Sequence, residues 1–133
     1  MTLNDYVFTR YQDGGRGPDA YDCWGLVRDA RKTLYGRSQL HMWGRVDPMN
    51  KGQVTDAWGE AEPMLVESKP VPGCIACVFR GETLLHVGCV VEGDKGLSVL
   101  ETRPKGGPRI LPIAKFERIY HQVGYYDDRD LHQ

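Results

Sequence analysis

Residues 74–102, CIACVFRGETLLHVGCVVEGDKGLSVLET, contain three short apolar runs separated by turn-forming residues. The runs span residues 74–80, 84–92 and 97–102, and their length and apolar, partly β-branched composition are typical of strands. The Glu-Gly-Asp-Lys-Gly stretch at residues 92–96 predicts a hairpin between the second and third runs. This part of the chain therefore predicts consecutive strands of an antiparallel sheet.

The sequence after residue 102 predicts two more strands, at residues 109–112 and 119–126. Residues 103–108, Arg-Pro-Lys-Gly-Gly-Pro, predict a long loop before the first of them. We expect the tail at residues 127–133 to be frayed, since chain ends are commonly poorly ordered.

Upstream of the strands, residues 23–35 predict an amphipathic helix. Apolar residues recur there at helical spacing, at Leu26, Val27, Ala30 and Leu34. Asp22 is a suitable N-cap and Gly36 a suitable C-terminal stop. Residues 13–19 are rich in Gly and predict a loop, and residues 54–64 predict a short helix in an otherwise irregular connecting segment.

Composition bounds the class of protein. A chain of 133 residues fits one domain spanning residues 1–133. An early helix followed by strands predicts an α+β fold, with the helix packed on an antiparallel β-sheet. Seventeen Lys and Arg against eighteen Asp and Glu give a net charge of −1, which disfavours nucleic acid and membrane surfaces as partners. The N-terminus shows neither a signal peptide nor a membrane span.

Three residues are candidates for cysteine-based catalysis. Cys23 begins the predicted helix, where unpaired backbone amides favour a thiolate. His86 lies inside an apolar strand and is suited to act as the base that such a nucleophile needs. Glu101 ends the strand joined to that of His86 by the hairpin, so it is the polar residue best placed to orient the imidazole. Core packing for Cys23 and solvent exposure for Glu101 remain open alternatives.

Four motifs occur in a characteristic order. They are YQDGG at residues 11–15, YDCWGLV at 21–27, Pro-Gly at 72–73 and HVGCVV at 86–91. Together they resemble the NlpC/P60 family of papain-like cysteine peptidases, over about residues 10 to 102. Trp24, where the family usually has Ser, resembles the branch found in tail-assembly proteins of phages and gene-transfer particles.

The resemblance implies a papain-like NlpC/P60 fold with Cys23 as nucleophile, His86 as base and Glu101 at the position of the third polar residue. A carboxylate there can accept a hydrogen bond from imidazole Nδ1. The resemblance also places three residues at the substrate side of the site, namely Tyr11, Asp22 and Trp24. The chain departs from the family pattern at Asp13, at Cys74 and at Glu101, where the family commonly has Trp, Asp and His.

The same resemblance implies an activity and a setting. The family hydrolyses peptide bonds of bacterial peptidoglycan stem peptides, typically γ-D-glutamyl bonds to diaminopimelate, and the resemblance calls for no cofactor and no metal. The partners implied are the stem peptide and the proteins of a phage or prophage tail. The corresponding location is the host cytoplasm during assembly and then the phage tail or virion. A peptidase acting in the bacterial cytoplasm on recycled wall fragments is the rival.

Two other classes of function stay open from the sequence. The Cys-x2-Cys and His-x2-Cys pairs predict, as an alternative, a zinc-binding structural domain with ligands Cys74, Cys77, His86 and Cys89. Cysteines three apart on a strand point to opposite faces, so we expect the three cysteines to be core residues instead. The other alternative is a tail-assembly protein without catalytic activity.

Two further groups of side chains have both a structural and a functional interpretation. We expect most of four aromatic residues to pack in the core, and lining a substrate groove is the alternative; they are Trp43, Trp58, Tyr125 and Tyr126. We expect three basic residues beside the Gly-Gly-Pro loop to be solvated, and binding a substrate carboxylate is the alternative; they are Arg103, Lys105 and Arg109.

Overall fold

The computed structural model describes residues 1–38 and 51–132. The N-terminal elements are α1 (Leu3–Val7), β1 (Arg10–Tyr11), β2 (Ala20–Tyr21), α2 (Cys23–Tyr35) and α3 (Lys51–Ala61), the last followed by a 3-10 turn, Glu62–Met64. The C-terminal elements are β3 (Leu65–Glu67), β4 (Ile75–Arg80), β5 (Thr83–Gly93), β6 (Gly96–Arg103), β7 (Gly107–Pro112), α4 (Ile113–Tyr120) and β8 (Val123–Asp128). A second 3-10 turn, Arg129–His132, follows β8.

The helix predicted at residues 23–35 is confirmed as α2. Its first turn is closed by Asp22, whose carboxylate accepts a hydrogen bond from the Gly25 amide at 2.7 Å. It ends at Gly36, whose φ of 63° is the left-handed conformation that terminates many helices. The short helix predicted at residues 54–64 corresponds to α3 and its 3-10 turn. Over the residues that the structure describes, no helix is both long and apolar enough to cross a membrane.

The main sheet has six strands in the order β3-β8-β4-β5-β6-β7, and every neighbouring pair is antiparallel. The predicted strands at residues 74–102 and the hairpin at 92–96 are confirmed by β4, β5 and β6. The loop expected at 103–108 is instead a tight hairpin, because β6 and β7 pair as far as Arg103 and Gly107. The α+β class with an antiparallel sheet is therefore the observed fold.

The last strand predicted, at residues 119–126, exists as β8, but its predicted start is wrong. Residues Ile113–Tyr120 form α4, and β8 begins only at Val123. The helix forms because it buries Phe116 completely against the sheet, a tertiary contact that outweighs the β-branched and aromatic residues near its end. The frayed tail is also wrong, since Asp127 and Asp128 belong to β8 and are buried.

The core lies on both faces of the sheet. Successive residues of β4 alternate between two clusters, Ile75 and Cys77 packing with α2 and α3, and Ala76 and Val78 packing with Phe116 of α4. The expectation of core packing is confirmed for two of the aromatic residues, Trp58 and Tyr125, which are buried. Trp43 lies outside the described residues, as does His41.

A buried ion cluster joins the end of α2 to β8. Arg31 is 1% exposed and binds Asp128 at 2.7 Å, Asp127 at 3.3 Å and the carbonyl of Gly73 at 2.7 Å. Arg37 also binds Asp127, at 3.0 Å. These bonds hold α2 across the sheet, and so they help to hold Cys23 at the opposite end of the same helix.

Candidate active site

The loop before α2 packs directly onto the first turn of that helix. A Cβ atom on Gly25 would collide with the carbonyl oxygen of Gly15, so only glycine permits this approach. The Asp22 carboxylate accepts hydrogen bonds from the Gly14 amide at 3.1 Å and from Arg16 at 2.7 Å, in addition to that of Gly25. Loop and helix start are thus one rigid unit around Cys23.

Cys23 is the first residue of α2 and its side chain is almost fully covered, at 7% exposure. In the first helical turn the Gly25 amide is bonded to the Asp22 cap, so the backbone donor nearest in sequence to the thiol is the amide of Cys23 itself. The dipole of α2 favours negative charge at this end of the helix. Chemically, this is a position that suits a nucleophile and the oxyanion that its attack produces.

The structure brings Cys23, His86 and Glu101 together. The His86 ring bonds Glu101, from Nε2 to Oε1 at 2.7 Å, and the Cys23 side chain lies near enough to act on the pKa of that ring. The ladder between β5 and β6 ends at the pair Cys89 and Leu100, and beyond it the two strands carry His86 and Glu101. The three side chains predicted from helix start, strand and hairpin therefore lie at one site.

One detail of the sequence prediction is corrected. Glu101 was expected to accept from Nδ1 of the imidazole, whereas it contacts Nε2. The contact with Glu101 occupies Nε2, so Nδ1 is the ring nitrogen that can serve a second partner.

Glu101 is fully buried and has two partners that sequence reasoning did not assign to it. Tyr120, at the end of α4, donates to Oε1 at 2.6 Å, and Arg109 on β7 donates to Oε2 at 2.6 Å. Arg109 faces Glu101 directly in the β6–β7 register, so the expectation of a solvated residue in a loop is wrong for it. Extending a hairpin on both sides of residues 103–108 pairs Arg109 with Glu101, so the sequence did contain a signal for Arg109. It contained no signal for Tyr120, because α4 was not predicted.

The protonation states follow from these contacts. Burial acts to lower the pKa of His86, but hydrogen bonds and charge from Cys23 and Glu101 outweigh it and raise that pKa to about 9. Burial acts to raise the pKa of Glu101, but His86, Tyr120 and Arg109 together bring it to about 2. At neutral pH the imidazole is therefore protonated and the carboxylate ionised, so Glu101 holds an imidazolium on the side of the ring that it contacts.

The three residues expected at the substrate side differ in placement. Asp22 and Trp24 are 0% and 1% exposed, so neither offers side-chain surface to a peptide in this structure. Asp22 caps α2, and Trp24 stacks on Trp58 of α3 with ring centroids 6.4 Å apart. Tyr11 is half-buried, and burial together with its hydrogen bond to Asp13 and the nearby Cys23 raises its pKa. Tyr11 is thus the one of the three that is partly exposed.

The other three cysteines do not converge on a metal ion. Cys74 belongs to the cluster on the α4 face of the sheet, whereas Cys77 and Cys89 belong to the cluster on the α2 face. All three are 0% exposed, and burial raises the pKa of each thiol, to about 11 for Cys74. In residues 1–38 and 51–132 no three His, Cys, Asp or Glu side chains are grouped as metal ligands. The geometry therefore argues against the zinc alternative.

Comparison with known proteins adds no assignment to this geometry: no family model matches the chain, and no curated protein is significantly similar to it.

Proposed function

We propose that this protein is a cysteine peptidase with a papain-like fold of the NlpC/P60 type. The observation that carries the proposal is the meeting of Cys23, at a helix start, with His86 and a buried Glu101. A nucleophile near a base that is itself held by a carboxylate is the combination that acyl transfer requires. The motif order that resembles NlpC/P60 supports the same conclusion independently.

The proposed reaction proceeds through an acyl-enzyme. The Cys23 sulfur, having lost its proton to His86, attacks the amide carbonyl, and the oxyanion is held by the backbone amide of Cys23. His86 then gives that proton to the leaving amine as the carbon–nitrogen bond breaks, which leaves a thioester on Cys23. His86 next takes a proton from water, the resulting hydroxide attacks the thioester, and the freed thiolate recovers the proton from His86.

The substrate class comes from the resemblance. We propose that the chain hydrolyses peptidoglycan stem peptides, at bonds of the γ-D-glutamyl-diaminopimelate type, as a component of a phage or prophage tail. Arg109, which was one candidate for a substrate carboxylate, is already bound to Glu101, so it is not needed to explain recognition. Tyr11 beside the thiol is the side chain that we place nearest to the scissile bond.

The test is hydrolysis of purified stem peptides followed by chromatography and mass spectrometry. We expect cleavage by the wild-type protein and none by Cys23→Ala, with nearly unchanged thermal midpoint. Cys74→Ala is the matched control: it removes a thiol from the opposite face of the sheet and should retain cleavage. Cleavage that persists in Cys23→Ala would place the nucleophile elsewhere, and a wild-type protein without activity would favour a tail-assembly protein that does not catalyse.

Glu101 is tested separately, because a dyad of Cys23 and His86 could act without it. Glu101→Gln keeps the shape of the side chain but removes the charge that stabilises the imidazolium. We expect turnover to fall by about 10²- to 10⁴-fold, by analogy with the carboxylate of other triads. Full activity of Glu101→Ala would reduce Glu101 to a structural residue.

A further inference from the structure

The carboxylate of Glu101 is shared among three donors from three different elements. His86 of β5 and Tyr120 of α4 both donate to Oε1, at 2.7 Å and 2.6 Å, and Arg109 of β7 donates to Oε2 at 2.6 Å. Two donors on one oxygen compete for the same electron density. The hydrogen bond from the imidazole to the carboxylate is therefore weaker than it would be alone, because Arg109 and Tyr120 draw on the negative charge of the same carboxylate.

The charges around His86 also weaken the hold of Glu101 on the imidazole proton. The titratable and charged groups that face the pair come from every element packed against it: Cys23 of α2, Glu101 of β6, Arg109 of β7 and Tyr120 of α4. Among these, Arg109 is a permanent cation, and its side chain is only 28% exposed. A fixed positive charge on the far oxygen of Glu101 offsets part of the attraction between the carboxylate and a protonated imidazole.

The position of Tyr120 is fixed by an unusual turn. His121, the next residue, has φ of 62° and ψ of −50°, and the Gln122 amide donates to the Tyr120 carbonyl at 2.7 Å, which together define a strained γ-turn. The turn is tied to the β4–β5 hairpin, since the Gln122 side chain binds both the amide and the carbonyl of Gly81, at 3.0 Å and 3.1 Å.

The aromatic ring of Tyr120 also lies against the imidazole of His86, with ring centroids 5.4 Å apart. The hydroxyl group and the ring are thus held toward the same pair of side chains. Strain of this kind persists only where the surrounding bonds maintain it, and it is concentrated at functional positions.

We propose that Arg109 and Tyr120 are positioning residues that act through Glu101 to limit how tightly His86 holds its proton. The two residues thereby set the alkaline limit of the Cys23–His86 pair. The proposal rests on the proposed function for its catalytic meaning, because a cysteine peptidase loses activity when its imidazolium is deprotonated. The effect on the proton itself is measurable without a substrate.

Removing either donor should raise the pKa of His86. In Arg109→Gln the carboxylate loses its permanent counter-charge, so the pKa of His86 should rise by roughly two pH units, as expected for a charge several ångströms away at an effective dielectric constant near 20. In Tyr120→Phe the ring stays and a neutral donor is lost, so the rise should be smaller, about half a pH unit.

The experiment is an NMR titration of the histidine ring signals, with His86 assigned by their loss in His86→Ala. Arg118→Gln is the control for Arg109→Gln, because it removes an exposed cation of α4 outside the site. Tyr125→Phe is the control for Tyr120→Phe, since it removes a tyrosine hydroxyl bonded at 2.6 Å to another carboxylate, Glu117. Both controls should leave the His86 midpoint at the wild-type value.

The pH profile of kcat/KM for stem-peptide hydrolysis is the second readout. Its alkaline limb should move upward by the same amount as the NMR midpoint in Arg109→Gln and Tyr120→Phe. Arg109→Lys, which keeps the charge, should stay close to wild type and keeps the proposal testable if Arg109→Gln does not fold.

A fall of the His86 midpoint, or no change in it, in Arg109→Gln and Tyr120→Phe would overturn the proposal. A fall would mean that the two residues strengthen the hold of Glu101 on the proton instead. Failure of the proposed function is distinguishable: the midpoints would then shift as expected while no variant, and no wild-type protein, cleaved a peptide.

Discussion

Protonation of His86 should make the stability of the fold depend on pH. The folded protein raises the pKa of His86 from 6.5 to about 9, so it binds this proton more tightly than the unfolded chain does. The stabilisation is therefore complete below pH 6.5 and is lost as the pH rises through about 9. The difference corresponds to about 3 kcal/mol of unfolding free energy, since one pH unit is equivalent to about 1.4 kcal/mol.

Glu101→Gln is the perturbation that isolates this contribution. The variant removes one of the two groups that raise the pKa of His86, leaving Cys23 as the other. Between pH 6.5 and 10 the free energy of unfolding should fall for both proteins. We expect the fall to be smaller in Glu101→Gln than in wild type, and the difference between the two falls to be about 1–3 kcal/mol.

Urea denaturation at half-unit pH intervals measures both curves. The buried thiols of the other three cysteines destabilise both proteins above their unfolded pKa, so the comparison is made on the difference between the curves. His86→Ala serves as the reference, because it lacks the titrating group altogether and should give the flattest of the three curves. Parallel curves for wild type and Glu101→Gln across the whole range would refute the linkage between His86 and Glu101.

Three further outcomes are expected. Iodoacetamide should modify Cys23 in the native protein and spare the three fully buried cysteines, as peptide mapping by mass spectrometry would show; equal labelling of all four would contradict the burial. Gly25→Ala should cost about 2 kcal/mol or more in urea denaturation because of the Gly15 carbonyl, whereas Gly59→Ala, with open space on α3, should be neutral or stabilising. Elemental analysis should find far less than one zinc per chain, since near-stoichiometric metal that is lost together with the folded signal would revive the zinc alternative.

Local chemistry was enough to predict the part of the chain that carries the candidate nucleophile and base. The Asp22 cap, the helical spacing after it and Gly36 are all contained within α2, so the sequence predicted that helix at its observed bounds. The turn at residues 92–96 joins its two strands directly, and that short connection is why Glu101 was correctly placed next to the strand of His86.

The surroundings of Glu101 were decided only by the tertiary structure. Arg109 reaches the carboxylate through a cross-strand pairing, and Tyr120 reaches it from a helix that forms because Phe116 is buried beneath the sheet. The charges of Asp127 and Asp128 become structural only when β8 inserts between β3 and β4 and meets Arg31. Apart from the hairpin pairing of Arg109, these contacts join residues whose pairing no local pattern encodes, so their energies appear only after the sheet has assembled and excluded water.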